Sequence, residues 1–147
     1  MTKFRVSKEG DPAAAVFELD KAIFTKNERL TGQDLDNGTW WIAWDPKGNP
    51  VGFAGAKLID QGPNYQIAYL IRAGVSPSAR GHGLQRRLIN CRVNWAKKQG
   101  AKAAITYTLY NNHTSSNNLI KSGFHLYYPE VGWVGDEVLY WWKNLNE

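Results

Sequence analysis

Between Tyr65 and Trp95 the hydrophobic period of the chain changes once, and it changes across glycines. Upstream, Tyr65, Ile67, Tyr69 and Ile71 alternate with Gln66, Ala68 and Arg72, the period of a strand. Downstream, Leu84, Leu88, Cys91 and Trp95 repeat at the spacing of one helix face. Between them stands Val75-Ser76-Pro77-Ser78-Ala79-Arg80-Gly81-His82-Gly83. A strand that runs through glycines into a helix constrains the fold strongly, because it demands an α/β arrangement. It also has a chemical consequence. The first turn of a helix leaves backbone N–H groups unpaired, and these groups and the helix dipole favour an anion. Gly81 and Gly83 let the backbone curl close to phosphate oxygens, and Arg80 adds a positive charge. Chemically this is a pyrophosphate cradle.

The flanking sequence supplies the rest of a mixed sheet. Lys3 to Ser7 reads as a first strand. Asp11-Pro12 reads as an N-cap with Pro at the first helical position, opening a helix to about Phe24. Thr25 to Gly38 is polar and reads as a loop with a short helix. Thr39–Trp44 and Val51–Ile59 read as strands joined by the turn-forming Asp45-Pro46-Lys47-Gly48-Asn49-Pro50. Gly100 ends the central helix. Lys102 to Leu109 is then a strand, Asn111 to Ser122 a helix, and Phe124–Tyr128 and Glu137–Trp142 two closing strands around a turn at Gly132 to Asp136. The strand–helix–strand unit from Tyr65 to Leu109 is expected to be parallel with a right-handed crossover. The 147 residues are expected to form one domain, 1–147, large enough to bury a core without metals or disulfides.

Charge and cysteine usage narrow the function classes. From Arg80 to Lys102 the charged residues are Arg80, Arg86, Arg87, Arg92, Lys97, Lys98 and Lys102, with no acid among them. Such a field attracts polyanions, either nucleic acid or a nucleotide-bearing cofactor. The run lacks the interleaved aromatics of a single-strand platform, so nucleic acid is not expected as a partner. Cys91 is the single cysteine and reads as a small hydrophobe on the helix stripe. It suits a reducing compartment. No signal-peptide run and no membrane-spanning run is visible, so a cytoplasmic location is expected and a membrane partner is not. His113 and His125 are isolated, and no ligand spacing suggests a metal.

The cradle is neither of two common types. A Walker A loop needs Gly-Lys-Ser/Thr, which is absent. The dinucleotide fingerprint needs a third glycine where Arg86 stands. Arg80-Gly81-His82-Gly83-Leu84-Gln85 instead resembles the acetyl-CoA loop of the GNAT superfamily, Gln/Arg-x-x-Gly-x-Gly/Ala, with Gln85 replacing a small residue. Val75-x-Pro77 upstream and Leu88 downstream also fit. A second match follows in the later helix, whose family pattern is Asn-x-x-Ala-x-x-x-Tyr-x-x-x-Gly-Phe. Asn112 takes the asparagine position, Ser115 the alanine, Leu119 the tyrosine, and Gly123-Phe124 close it.

The resemblance implies the GNAT acyl-CoA N-acyltransferase fold, a central mixed, splayed sheet flanked by helices. It implies direct acetyl transfer from acetyl-CoA, as co-substrate, to a primary amine inside a ternary complex. It assigns the cofactor to Ala73, Gly74, Val75, Arg80, Gly81, His82, Gly83, Leu84, Gln85, Arg86, Asn112 and Ser115, with an oxyanion-stabilising N–H near Ala73 to Val75. The 3′-phosphate is expected at Arg86 or Arg87. The acceptor is a small molecule or a peptide, and a homodimer is compatible with the family. The usual glutamate base is missing, because no Asp or Glu lies between Gln61 and Leu109. The usual acid is missing too, because Leu119 stands in the tyrosine position. Asp60, Glu130 or a water chain then remain as base, and Tyr107, Tyr110, Tyr127 or Tyr128 as acid. Tyr127, Tyr128 and Glu130 are the catalytic candidates. Trp40, Trp41 and Trp44 are candidates for lining an acceptor pocket. The alternative reading is a GNAT-like module that holds CoA with little turnover.

Overall fold

A computed structural model describes residues 3–24, 30–135 and 137–146. The expected Thr25 to Arg29 portion of the first loop and Asp136 of the last turn lie outside them. The elements follow as β1 (Arg5–Glu9), α1 (Ala13–Ile23), α2 (Gly32–Asn37), β2 (Thr39–Trp44), β3 (Pro50–Gly62), β4 (Tyr65–Val75), a single 3-10 turn (Pro77–Ala79), α3 (Leu84–Lys98), β5 (Ala103–Leu109), α4 (His113–Lys121), β6 (His125–Tyr127) and β7 (Val138–Asn144). The strands form one seven-stranded sheet in the order β1-β2-β3-β4-β5-β7-β6. The sheet is mixed. β4 and β5 are parallel, while β1/β2, β2/β3, β5/β7 and β6/β7 are antiparallel.

The chain gathers into two compact units, Met1–Lys57 with Ile71–Leu88 and Leu58–Leu70 with Ile89–Glu147. In the first, Val16 and Leu19 of α1 and Leu30 and Leu35 meet Trp40, Ile42 and Phe53 of the sheet. Fully burying a side chain of this kind contributes about 1.5–3 kcal/mol. Trp40 Nε1 donates to Leu35 O at 3.3 Å. α2 starts where Thr31 and Asp34 cap one another reciprocally, the device that lets so short a helix form. α1 begins differently from expectation: Pro12 is the N-cap residue and no side chain caps it.

The three tryptophans offered as pocket residues stand as follows. Trp40 and Trp41 are both buried. Trp44 donates its Nε1 to Ser7 Oγ at 2.9 Å, beneath the Arg5 guanidinium. Trp44 also packs against the core cluster that contains Trp40.

In the second unit α4 docks through a buried polar contact. Trp141 Nε1 donates to Thr108 Oγ1 at 2.9 Å, and Thr108 Oγ1 lies 3.3 Å from Ser116 Oγ. Leu119 and Phe124 are buried, as apolar anchors of α4 and the segment after it. The β5–β7 register sets Tyr107 opposite Tyr140, and the β6–β7 register sets Tyr127 opposite Tyr140.

Candidate active site

The glycine turn lies wholly within the first unit. Ser76 N donates to Val51 O at 2.7 Å as β4 ends. Ala79 N and Arg80 N then close the short 3-10 turn onto Ser76 O and Pro77 O. Gly81 has φ +86° and Gly83 φ +73°, and a Cβ added at either would meet nothing within 4 Å. The strain against other residues is therefore in the backbone, where an L side chain rarely adopts these angles, while the space beside the turn is open. The first helical bond of α3 is Arg87 N to Gly83 O at 3.1 Å. The donors before it belong to the first turn, and that turn carries no acid. Leu84 is buried and anchors the helix start.

The side chains around the turn brace it. Arg80 Nε donates to Val75 O at 3.1 Å, so one edge of the guanidinium ties the turn to the strand end. The His82 ring lies 4.5 Å from the Phe4 ring, and Arg87 Nη1 donates to Phe4 O at 3.0 Å. His82 and Arg87 thus hold the segment before β1. Arg86 is exposed, and Gln85 is half-buried.

Ala73, Gly74 and Val75 form the last residues of β4. Gly74 is a close approach. A Cβ there would come within 2.9 Å of the Phe24 ring and 3.1 Å of Ile23 Cγ2. What places Phe24 is a pair that the sequence reading missed. Asp20, fully buried, accepts from Arg72 Nη1 at 2.8 Å and from Leu30 N at 3.2 Å. The Arg72 guanidinium also lies over the Phe24 ring. An acid inside the apolar stripe Val16, Leu19, Ile23 was the available signal for a buried, partnered carboxylate.

The basic run loses a member from its exposed face. Arg92 is 3% exposed, and burial pushes its guanidinium below the ordinary value. It is an interior residue of α3, not part of a polyanion-attracting surface. Cys91, read as a small hydrophobe on the stripe of this helix, is half-buried.

The remaining expected residues lie in the second unit. Asn112 is the N-cap of α4, its Oδ1 accepting from Ser115 N at 3.1 Å, so both expected pantetheine contacts belong to one capping motif. Tyr127 packs against Tyr140 and Trp142, and its hydroxyl accepts from Trp133 Nε1 at 3.4 Å. Tyr128 is 96% exposed, and Glu130 is exposed in the β6–β7 connection. Asp60 accepts from Gln66 Nε2 at 2.8 Å at the β3–β4 hairpin, and it lines a polar hollow of about 330 Å³ with Asn64, Gln66 and Lys102. That hairpin precedes β4, whereas the glycine turn follows it.

A further feature had no advance reading. Trp133 lies on the aromatic face of β4–β5–β7, with ring centroids 5.4 Å from Tyr69, 5.8 Å from Tyr107 and 5.0 Å from Tyr140. The Tyr140 hydroxyl accepts from Val134 N and Gly135 N and donates to Gly135 O at 2.7 Å. Among the described residues, no three His, Cys, Asp or Glu side chains assemble into a metal ligand set, and no helix is long and apolar enough to cross a membrane.

Comparison with known proteins agrees with this architecture. One subunit of a NatC complex, solved with a Gag peptide and CoA, matches at TM-score 0.78 and 15% identity over 97% of this chain and 98% of that one. A GNAT-family acetyltransferase from Staphylococcus aureus matches at TM-score 0.77 and 17% identity, over 97% and 99%. An acetyltransferase from Bacillus subtilis, solved with CoA, matches at TM-score 0.72 and 16% identity, over 97% and 99%. No protein of curated function matches in sequence. At these identities the structures establish the fold alone. The sequence profile of the Acetyltransferase (GNAT) family matches residues 10–124, which span both the glycine turn and α4, and the chain belongs to that family.

Proposed function

We propose that this chain is a single-domain, cytoplasmic N-acetyltransferase that moves an acetyl group from acetyl-CoA directly to a primary amine bound beside it. The observation that carries the reading is the turn at Arg80–Leu84. Two left-handed glycines feed an acid-free helix N-terminus, with open space where a Cβ would stand. A diphosphate fits that chemistry. Arg80 to Gln85 would hold the cofactor's pyrophosphate, Arg86 or Arg87 its 3′-phosphate, and Asn112 with Ser115 its pantetheine arm. When bound, acetyl-CoA supplies an activated thioester acyl group.

The chain's own groups supply position and proton traffic. Backbone N–H groups at the end of β4 would stabilise developing negative charge on a carbonyl oxygen. Holding two reactants together removes much of the barrier. A departing thiolate, with a pKa of about 8.5, needs only modest proton help near neutral pH. The Tyr127 hydroxyl, which accepts the Trp133 N–H, or that of Tyr128 would give that help. Glu130 or a water chain would take the proton that the amine must lose. Leu119 cannot join this traffic, because it is buried in the docking face of α4. That burial favours a second reading, a CoA-binding module with little turnover. Mass-spectrometric turnover of acetyl-CoA with an amine panel separates the two. Acetylation of any amine at a rate above the uncatalysed one supports the enzyme, and none across the panel supports the module.

A further inference from the structure

β4 becomes accessible as it nears the glycine turn. Ala68 and Leu70 are buried, whereas Ile71, Arg72, Ala73 and Gly74 are each half-buried. Arg72 and Gly74 are two residues apart and share one face of the strand. On that face stands the Phe24 ring. A Cβ on Gly74 would come within 2.9 Å of it, so the ring takes the space that a side chain at position 74 would need. Phe24 is itself half-buried, so the core does not enclose it fully. Its position is held from several sides. Phe53 meets it edge-on, with ring centroids 6.2 Å apart, and the Arg72 guanidinium lies over it, Cζ 4.9 Å from the centroid. Asp20 fixes Arg72 in turn. Its Oδ1 accepts from Arg72 Nη1 at 2.8 Å, and its Oδ2 accepts from Leu30 N at 3.2 Å. All of these residues lie in the first unit, with Ala73 to Val75.

A buried ion pair adds little net stability over an apolar pair of the same volume, because desolvation offsets the attraction. It does fix direction. A guanidinium engaged by a buried carboxylate stays over the ring, and a ring packed on several sides does not turn aside for an added methylene. In the proposed reaction the thioester lies at the end of β4, the strand end that Phe24 flanks. We propose that Phe24 sets the size of the acyl group: its ring, beside Gly74, is the wall that admits acetyl and refuses longer chains. Asp20 and Arg72 are positioning residues that hold the wall in place. The inference rests on the acetyltransferase reading.

Calorimetry on the full chain with CoA, acetyl-CoA and butanoyl-CoA reads the wall without any acceptor. Wild-type protein should bind butanoyl-CoA at least about tenfold more weakly than acetyl-CoA, the scale of discrimination that a methylene brings in a fitted pocket. Phe24→Ala should bring the two acyl-CoAs to within twofold of each other, with CoA itself bound within twofold of wild type. Phe24→Leu keeps an apolar contact in the core and should reduce the preference to threefold or less. Asp20→Asn combined with Arg72→Gln replaces the ion pair by neutral amides and takes the guanidinium off the ring. It should lower the preference at least threefold and leave CoA affinity unchanged, an effect that lost stability alone does not produce. Thermal melts report folding, and Phe24→Leu decides the matter if Phe24→Ala does not fold. Equal binding of acetyl-CoA and butanoyl-CoA by wild type, a preference that survives in folded Phe24→Leu, or a loss of CoA affinity as large as the change in preference would each overturn the inference. An unchanged preference in the folded double variant would remove Asp20 and Arg72 from it. Wild-type protein that fails to bind CoA would instead overturn the acetyltransferase reading.

Discussion

The turn at Gly81–Gly83 and the turn at Gly132–Gly135 use backbone donors in opposite ways. In the first, braces come from outside the turn: Arg80 onto Val75 O, His82 onto the Phe4 ring, Arg87 onto Phe4 O. The helix that follows begins with donors that intrahelical bonding cannot satisfy. In the second, Gly135 N donates to Gly132 O, and the Tyr140 hydroxyl takes the Val134 and Gly135 donors from the side. One turn is braced by side chains and leads into a helix N-terminus. The other is closed by a side chain and presents an indole. The first suits an anion, and the second, with its donors taken by a hydroxyl, does not.

The same substitution in both turns should break the symmetry of the comparison most sharply. Gly83→Asp places bulk and negative charge where phosphate is expected and forces a left-handed backbone on a side chain. CoA affinity by isothermal titration should fall by at least about 100-fold, roughly 2.7 kcal/mol. Gly132→Asp adds the same charge to the other turn and should leave CoA affinity within twofold. Equal losses, or no loss at Gly83, would remove the cradle.

A smaller effect separates two neighbouring arginines. Arg87 already donates to Phe4 O, whereas Arg86 is exposed on the same turn of α3. Arg86→Gln should weaken CoA about fivefold, about 1 kcal/mol, and leave dephospho-CoA unchanged. Arg87→Gln should weaken both ligands alike, by loosening the segment that backs the turn. The reverse pattern would give the 3′-phosphate to Arg87.

Next in size is the side-chain closure. Tyr140→Phe removes a hydroxyl that makes several hydrogen bonds with the Gly132–Gly135 turn. Water can replace them in part because the turn is exposed, so the loss should be about 1 kcal/mol. On a chain of this size that lowers the melting temperature by about 2–4 °C. CoA affinity should not change. A fall in CoA affinity would mean that the two turns are coupled.

How much of this was legible in the sequence depends on the kind of signal. The glycine turn was readable because period, glycines and charge all mark it locally within Val75–Leu88. The sheet elements were readable for the same reason, with ends shifted by a few residues: β1 at Arg5–Glu9, and β3 extended from Pro50 to Gly62. The strand order was not readable, because β7 lies between β5 and β6 through pairing that no local pattern encodes. The Asp20–Arg72 pair and the Trp133 cluster join residues far apart in sequence, and each single residue looks ordinary. Arg92 was misread because it shares a helix with exposed basic residues, and only packing distinguishes it. Leu119 was readable as a missing tyrosine, but its burial required the docking of α4.

The hairpin turn at Asp45–Asn49 provides an internal control on the first half of the comparison, and the smallest effect. Here the anion is built in. The Asp45 carboxylate accepts from Lys47 N at 2.9 Å and from Asn49 N at 2.8 Å. The Asn49 backbone hydrogen bond is the main cause holding the carboxyl below its ordinary value, against a smaller opposing effect of burial. A carboxyl depressed in the folded state stabilises the fold fully above its unfolded value of about 3.9. That stabilisation is lost as pH falls through the folded value, because protonation ends the charge that the donors favour. Asp45→Asn should therefore lower the melting temperature slightly at pH 7, and the gap from wild type should narrow steadily below about pH 4. The carboxyl resonance of Asp45, followed by carbon-13 NMR, should titrate below an ordinary aspartate. If it titrates at or above the ordinary value, backbone donors in a short turn of this protein do not favour an anion measurably. The electrostatic half of the case for Gly81–Gly83 would then have to rest on the helix terminus alone.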